Sequence, residues 1–177
     1  MKNWILALAL FPVVGFCDVR LPSIFSDNLV LQQKSGNPIW GWASPGEKVE
    51  VMTSWGENQV AKAESDGSWM VIVNTPKAGT AHRVTISGEN KIVLKKVAVG
   101  EVWICAGQSN MGWSVANSFE AGGEAEADLP DLRIFRSARE HWHEPLQDNR
   151  DRLAIWKPCN PKSAAETSAV AYYFGKT

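Results

Sequence analysis

Three consecutive polar residues, Gln108, Ser109 and Asn110, follow the apolar run Val102-Trp103-Ile104-Cys105-Ala106 and a single glycine, Gly107. Apolar residues then return as Met111, Trp113 and Val115, at roughly helical spacing. The run has the pattern of a strand buried on both faces. A buried strand that ends in a small residue, then a serine, then a helix is how α/β hydrolytic enzymes present a nucleophile. The strand end lifts the hydroxyl above the sheet, and the free N–H groups of a helix start face the same place, suited to an oxyanion. Ser109 is therefore the candidate nucleophile for acyl transfer. Gln108 and Asn110 are candidates for orienting it or for contacting substrate. A serine capping a helix fits the same pattern, and so do Gln108 and Asn110 as polar caps.

A serine hydroxyl needs a base within hydrogen-bond reach. The histidines are His82, His141 and His143. His82 lies beside a strand and reads as a partly exposed pleat residue. Glu140 and His143 form a Glu-x-x-His pair in a polar stretch that reads as a solvated loop, so neither is assigned a role. No Asp-x-x-His occurs.

The block Gly100-Glu101-Val102-Trp103-Ile104-Cys105-Ala106-Gly107-Gln108-Ser109-Asn110-Met111 resembles the first signature block of the sialate O-acetylesterase family, which belongs to the SGNH hydrolases. The resemblance continues upstream through Val19-Arg20-Leu21-Pro22-Ser23-Ile24-Phe25-Ser26-Asp27-Asn28-Leu29-Val30-Leu31-Gln32-Gln33. Downstream it reaches Ser168-Ala169-Val170-Ala171-Tyr172-Tyr173-Phe174-Gly175, so it covers nearly everything after residue 17. It implies that Ser109 is the nucleophile of a Ser–His–Asp triad acting on acetyl esters of sugars, with no cofactor. The family's triad His and Asp come from an Asp-x-x-His motif that this chain does not contain. Acetyl-xylan-type deacetylation, or a non-catalytic exported carbohydrate-binding or structural module, are the competing readings.

The elements that must position Ser109 can be read from both sides of it. Between residues 18 and 99, short alternating strands are separated by turns, which implies an antiparallel β-sandwich. The strand candidates are Leu29–Gln33, Ile39–Ala43, Lys48–Thr53, Val60–Ala63, Trp69–Val73, Val84–Ile86 and Ile92–Leu94. Asp66-Gly67 predicts a hairpin joining Val60–Ala63 to Trp69–Val73, and Gly88-Glu89-Asn90 a second hairpin. Residues 100–177 then read as the first part of an α/β esterase domain, flavodoxin-like by the family resemblance. These 78 residues are about half of what a doubly wound sheet needs, so the domain reads as truncated. Within it, 118–130 reads as a polar loop, Leu132–Phe135 as a strand and 136–162 as a long surface loop. Ala164–Phe174 reads as one helix with a Ser163/Glu166 capping box.

Composition narrows the class. The hydrophobic content of 45% can build a core, and 18 basic against 19 acidic residues leave a net charge of −1 with no basic patch for nucleic acid. Most of the nine tryptophans read as core and edge packing, with sugar stacking the lesser reading for Trp40, Trp42, Trp55 and Trp69. Met1–Cys17 has a signal-peptide pattern: Lys2, an apolar stretch from Trp4 to Val14, then Gly15 and Cys17 before a cut ahead of Asp18. Secretion or periplasmic export follows, with lipid anchoring at Cys17 ranked second because Phe16 is bulky. No segment of membrane-spanning length is present. Cys105 and Cys159 could pair after export or stay as free thiols. Neither CxxC nor clustered histidines suggest zinc.

Overall fold

The computed structural model describes residues 18–118, 128–137, 143–149 and 154–177. The proposed leader Met1–Cys17, with Glu140 and His141, lies outside the described residues. Seven strands come first: β1 (Val30–Gln32), β2 (Gly36–Trp42), β3 (Lys48–Thr53), β4 (Asn58–Lys62), β5 (Ser68–Asn74), β6 (Gly79–Ser87) and β7 (Lys91–Gly100). They form a five-stranded sheet in the order β1-β7-β6-β3-β4 and a two-stranded sheet of β2 and β5.

Alternation builds the core. Trp69, Val71 and Val73 of β5 are buried while Met70 and Ile72 between them face out. From the five-stranded sheet come Val49 and Val51 of β3, Val84 and Ile86 of β6, and Leu94 and Val97 of β7. These share one apolar cluster with Ile39 of β2. Each fully buried Val or Ile contributes about 1.5–3 kcal/mol.

Two expectations are corrected here. The five-stranded sheet is mixed, because β1 runs parallel to β7 with Val30 opposite Ala98 and Gln32 opposite Gly100. The turn at Asp66-Gly67 exists, with Gly67 at φ +83°, but the strands it joins do not pair. Instead β4 pairs with β3 and β5 with β2, so the turn carries the chain from one sheet to the other. The Gly88–Asn90 hairpin forms as expected between β6 and β7.

Two irregularities interrupt the β6–β7 ladder. The β6–β7 register slips twice, between Gly79/His82 and between His82/Val84. Ala81 at φ +64° and Lys96 at φ +55° lie in these irregularities. Bulges bend a strand and increase its twist. Beyond Lys96, β7 pairs with β1, and the junction is fixed by Asn28 N–H donating to Lys95 O and Lys95 N–H to an Asp27 carboxylate oxygen.

After Gly100 come a 3₁₀ turn at Val115–Asn117, β8 (Leu129–Phe135), β9 (Trp156–Cys159), α1 (Pro161–Glu166) and α2 (Ala169–Lys176). β8 and β9 are antiparallel. Val115, Cys159, Ala164 and Tyr172 form a second apolar cluster. The stretch 136–162 is thus not all loop: β9 is a strand, and Trp156 reaches the main core. The single helix expected over Ala164–Phe174 is two. Thr167 Oγ1 donates back to Ser163 O, the i−4 bond that competes with helix continuation. The box that caps α1 is Asn160 with Ser163, ahead of Pro161, rather than Ser163 with Glu166. Among the described residues no helix is long and apolar enough to cross a membrane.

Candidate active site

β7 delivers the chain to Glu101, and residues 101–107 continue without a strand partner among the described residues. The expectation of a buried strand at Val102–Ala106 is therefore corrected. Ile104 is 93% exposed and Trp103 66%. A strand is buried only where neighbours take up its N–H and C=O groups. Among the described residues none pairs with this run. Its apolar side chains find one aromatic contact, Trp103 edge-on to Phe174 of α2 at 5.3 Å.

The polar triplet lies at the head of a single helical turn. Gly112 N–H donates to Gln108 O at 3.1 Å and to Ser109 O at 3.0 Å, and Trp113 N–H to Asn110 O at 3.2 Å. A longer helix does not follow; the chain passes into the 3₁₀ turn at Val115–Asn117. A Cβ at Gly107 would lie 3.0 Å from Met111 Cβ, a tight contact to which the turn would have to yield by a few tenths of an ångström. Gln108, Ser109 and Asn110 are all exposed, so the hydroxyl is accessible on a turn rather than sunk in a cleft.

The far end of this turn is held by the α1–α2 junction. Val115 N–H donates to Thr167 O at 2.9 Å, and Ala169 N–H to Trp113 O at 2.8 Å. Ser168, which caps α2, also donates its hydroxyl to Met111 Sδ at 3.1 Å. The break between α1 and α2, invisible to helical periodicity, is what frees these backbone groups to hold the turn. Further upstream, where the chain leaves β7, Glu101 is held. Its carboxylate accepts from Gln32 Nε2 at 2.9 Å and Gln33 Nε2 at 2.7 Å.

Those two amide donors, Gln32 first and Gln33 second, hold the Glu101 carboxyl below its ordinary value of 4.5; desolvation opposes them, and the positive charge of Lys34 adds the smallest pull in their direction. A carboxylate whose folded value is depressed adds stability that is complete above the unfolded value and is lost as pH falls through the folded one. The Glu101 carboxyl resonance is therefore expected to titrate with a midpoint below 4.5. The Gln32 and Gln33 side-chain amide signals should move with it. A carboxyl midpoint at or above the ordinary value contradicts the clamp.

No hydrogen bond joins Ser109 to a histidine among the described residues. His82 is on β6, where its Nδ1 lies 3.4 Å from Ser54 Oγ and its ring meets Trp55 edge-on. His143 is exposed. Cys105 is exposed and Cys159 is buried, and no disulfide joins them. Of the tryptophans, Trp69 and Trp156 are core. Trp40 packs edge-on against Phe25 at 4.6 Å, and Trp42 lies under the Arg20 guanidinium at 5.7 Å. Among the described residues no group of three or more His, Cys, Asp or Glu could hold a metal ion.

Sequence comparison with known proteins matches the chain to the mouse sialate O-acetylesterase, 30% identical over 181 residues, covering 92% of this chain and 33% of the relative. The human sialate O-acetylesterase is 31% identical over 186 residues, with 92% and 34% covered. The chain is a homologue of the sialate O-acetylesterases. It spans about a third of the length of these curated relatives. A crystal structure described as a novel carbohydrate acetylesterase from Xanthomonas citri superposes with a TM-score of 0.84 at 30% identity, covering 89% of this chain and 36% of that one. The mixed sheet with few helices is thus shared with a carbohydrate acetylesterase. No family model matches the chain.

Proposed function

We propose that this chain carries the nucleophile segment of a carbohydrate O-acetylesterase of the SGNH type, with Ser109 as the nucleophile. The observation that carries this reading is homology to sialate O-acetylesterases over 92% of the chain, with Ser109 accessible on a turn whose far end is held by the α1–α2 junction. Ser109 Oγ attacks the acetyl carbonyl carbon and loses its proton to a base. The sugar oxygen then leaves, taking the proton, and water hydrolyses the acetyl-enzyme to acetate. The N–H of Ser109 donates to the oxyanion, and Gln108 and Asn110 orient the ester.

Residues 18–99 serve in this reading as a sandwich scaffold, and 100–177 as the first part of a flavodoxin-like domain. The exposed run Val102–Ala106 becomes a paired strand when further sheet strands are present. Met1–Cys17 is an export leader, and an intact mass of the exported protein beginning at Asp18 checks that; a mass retaining Met1 or a lipid on Cys17 contradicts it.

Among the described residues no base touches Ser109, and a serine without one is a neutral alcohol. Residues Asp18 to Thr177 alone are therefore expected to release acetate from an activated acetyl ester at no more than the residual rate left by binding and one or two N–H donors. Turnover at enzymatic rates that disappears in Ser109→Ala contradicts this and turns the search for a base to His141 and His143.

A further inference from the structure

The sequence Leu31-Gln32-Gln33 has two consecutive glutamines at a strand end, far in sequence from Ser109. In the fold they meet the exit of β7. Gln32 Nε2 donates to one Glu101 oxygen at 2.9 Å, while Gln32 Oε1 accepts from the Val102 N–H at 2.9 Å. Only one orientation of the carboxamide satisfies both, since a carboxylate accepts and an amide N–H donates. Gln33 holds the other Glu101 oxygen, and its own Oε1 accepts from Ala78 N–H at 2.9 Å.

The mount of Gln32 is rigid. Its N–H donates to Asn37 Oδ1 at 2.9 Å, and its carbonyl accepts from Thr75 Oγ1 at 2.6 Å and Asn37 Nδ2 at 3.0 Å. Asn37 and Thr75 are two of the few buried polar residues. Buried polar groups are retained where their bonds specify a geometry. Here the geometry they specify is that of one glutamine.

We propose that Gln32 is a positioning residue that sets the direction in which the chain leaves β7 toward Ser109. It does so by binding the side chain of Glu101 and the backbone of Val102 at once. The inference rests on the reading of Ser109 as nucleophile for its functional meaning, but the clamp itself is tested without any chemistry at Ser109.

The test is amide hydrogen exchange over residues 101–113, with β3 amides as an internal reference, in Gln32→Glu and in the double variant Gln32→Glu/Glu101→Gln. The single variant sets two carboxylates against each other and removes the donor. Exchange at Val102 and through the following turn is expected to rise about tenfold while β3 is unchanged. The double variant exchanges the roles: the introduced carboxylate accepts from the introduced amide and still accepts from Val102 N–H. Exchange is expected to return to within about twofold of the parent. An unchanged rate in the single variant overturns the proposal, and so does a fast rate that persists in the double variant. If the single variant does not fold, the double variant decides: parental exchange supports the clamp, and faster exchange or failure to fold overturns it. None of these outcomes bears on whether Ser109→Ala is inactive, so the two readings fail separately.

Discussion

Replacing Ser109 by alanine, in the natural polypeptide that carries this sequence, is expected to lower kcat for sugar acetyl-ester hydrolysis by about 10⁴-fold or more, with KM little changed. The size follows from the role. Members of a nucleophile–base unit are non-additive, so removing the nucleophile alone forfeits nearly the whole contribution of covalent catalysis. What survives is the residual rate from N–H donors and binding. The fold should not suffer, because Ser109 is exposed and its side chain has no hydrogen bond among the described residues. Surface substitutions of that kind usually fall within about 0.5 kcal/mol. Steady-state kinetics beside thermal unfolding of the same variant separate the two effects. A variant that keeps most of its acetylesterase activity contradicts the assignment, whatever its stability.

The second large effect is structural. Trp156→Ala is expected to destabilise residues 18–177 by about 3–5 kcal/mol in urea unfolding. Trp156 is the β9 residue that joins the main core while its strand packs with the C-terminal elements. Its indole N–H donates to Ile24 O at 2.8 Å, its backbone N–H donates to Ser26 Oγ at 3.2 Å, and its ring meets Phe135 at 5.5 Å. Truncation leaves a cavity and an unpaired carbonyl together. Ser23 adds a second tie close by, its N–H and hydroxyl both donating to Asp148 Oδ1 at 2.8 Å. Trp103→Ala is the contrast, with a change within about 0.5 kcal/mol, because that ring is mostly exposed. A loss at Trp156 no larger than at Trp103 contradicts the role given to β9.

Local pattern made the early strands legible. Val49/Val51 and Val71/Val73 alternate cleanly with outward residues, and Gly88–Asn90 sits where a tight turn must be. What failed was pairing. Asp66-Gly67 fixes a turn but carries no information about which sheet receives each flank, and the two flanks join different sheets. β9 was missed because Trp156-Lys157-Pro158-Cys159 is short, contains a proline and is preceded by a polar stretch, although Trp156 and Cys159 are the residues that become buried. The split between α1 and α2 depends on a Thr167 hydroxyl and on partners more than fifty positions upstream. Helical periodicity registers neither. At the site, the serine and its glycine were visible in the sequence. The buried character of Val102–Ala106 was not realised, because burial of a strand is a property of its neighbours and none among the described residues pairs with it. The clamp of Gln32, Gln33 and Glu101 could not be read from spacing at all, since it joins residues about seventy positions apart.

The most direct measurement is to trap the acyl-enzyme. The natural polypeptide would be mixed with an acetylated sugar, quenched in acid during turnover, digested and analysed by mass spectrometry. The account predicts an acetyl group on the peptide containing Ser109, localised to that residue and missing in Ser109→Ala. Steady turnover with the acetyl group on another residue, or with none on Ser109 at any quench time and activity retained in Ser109→Ala, would contradict it.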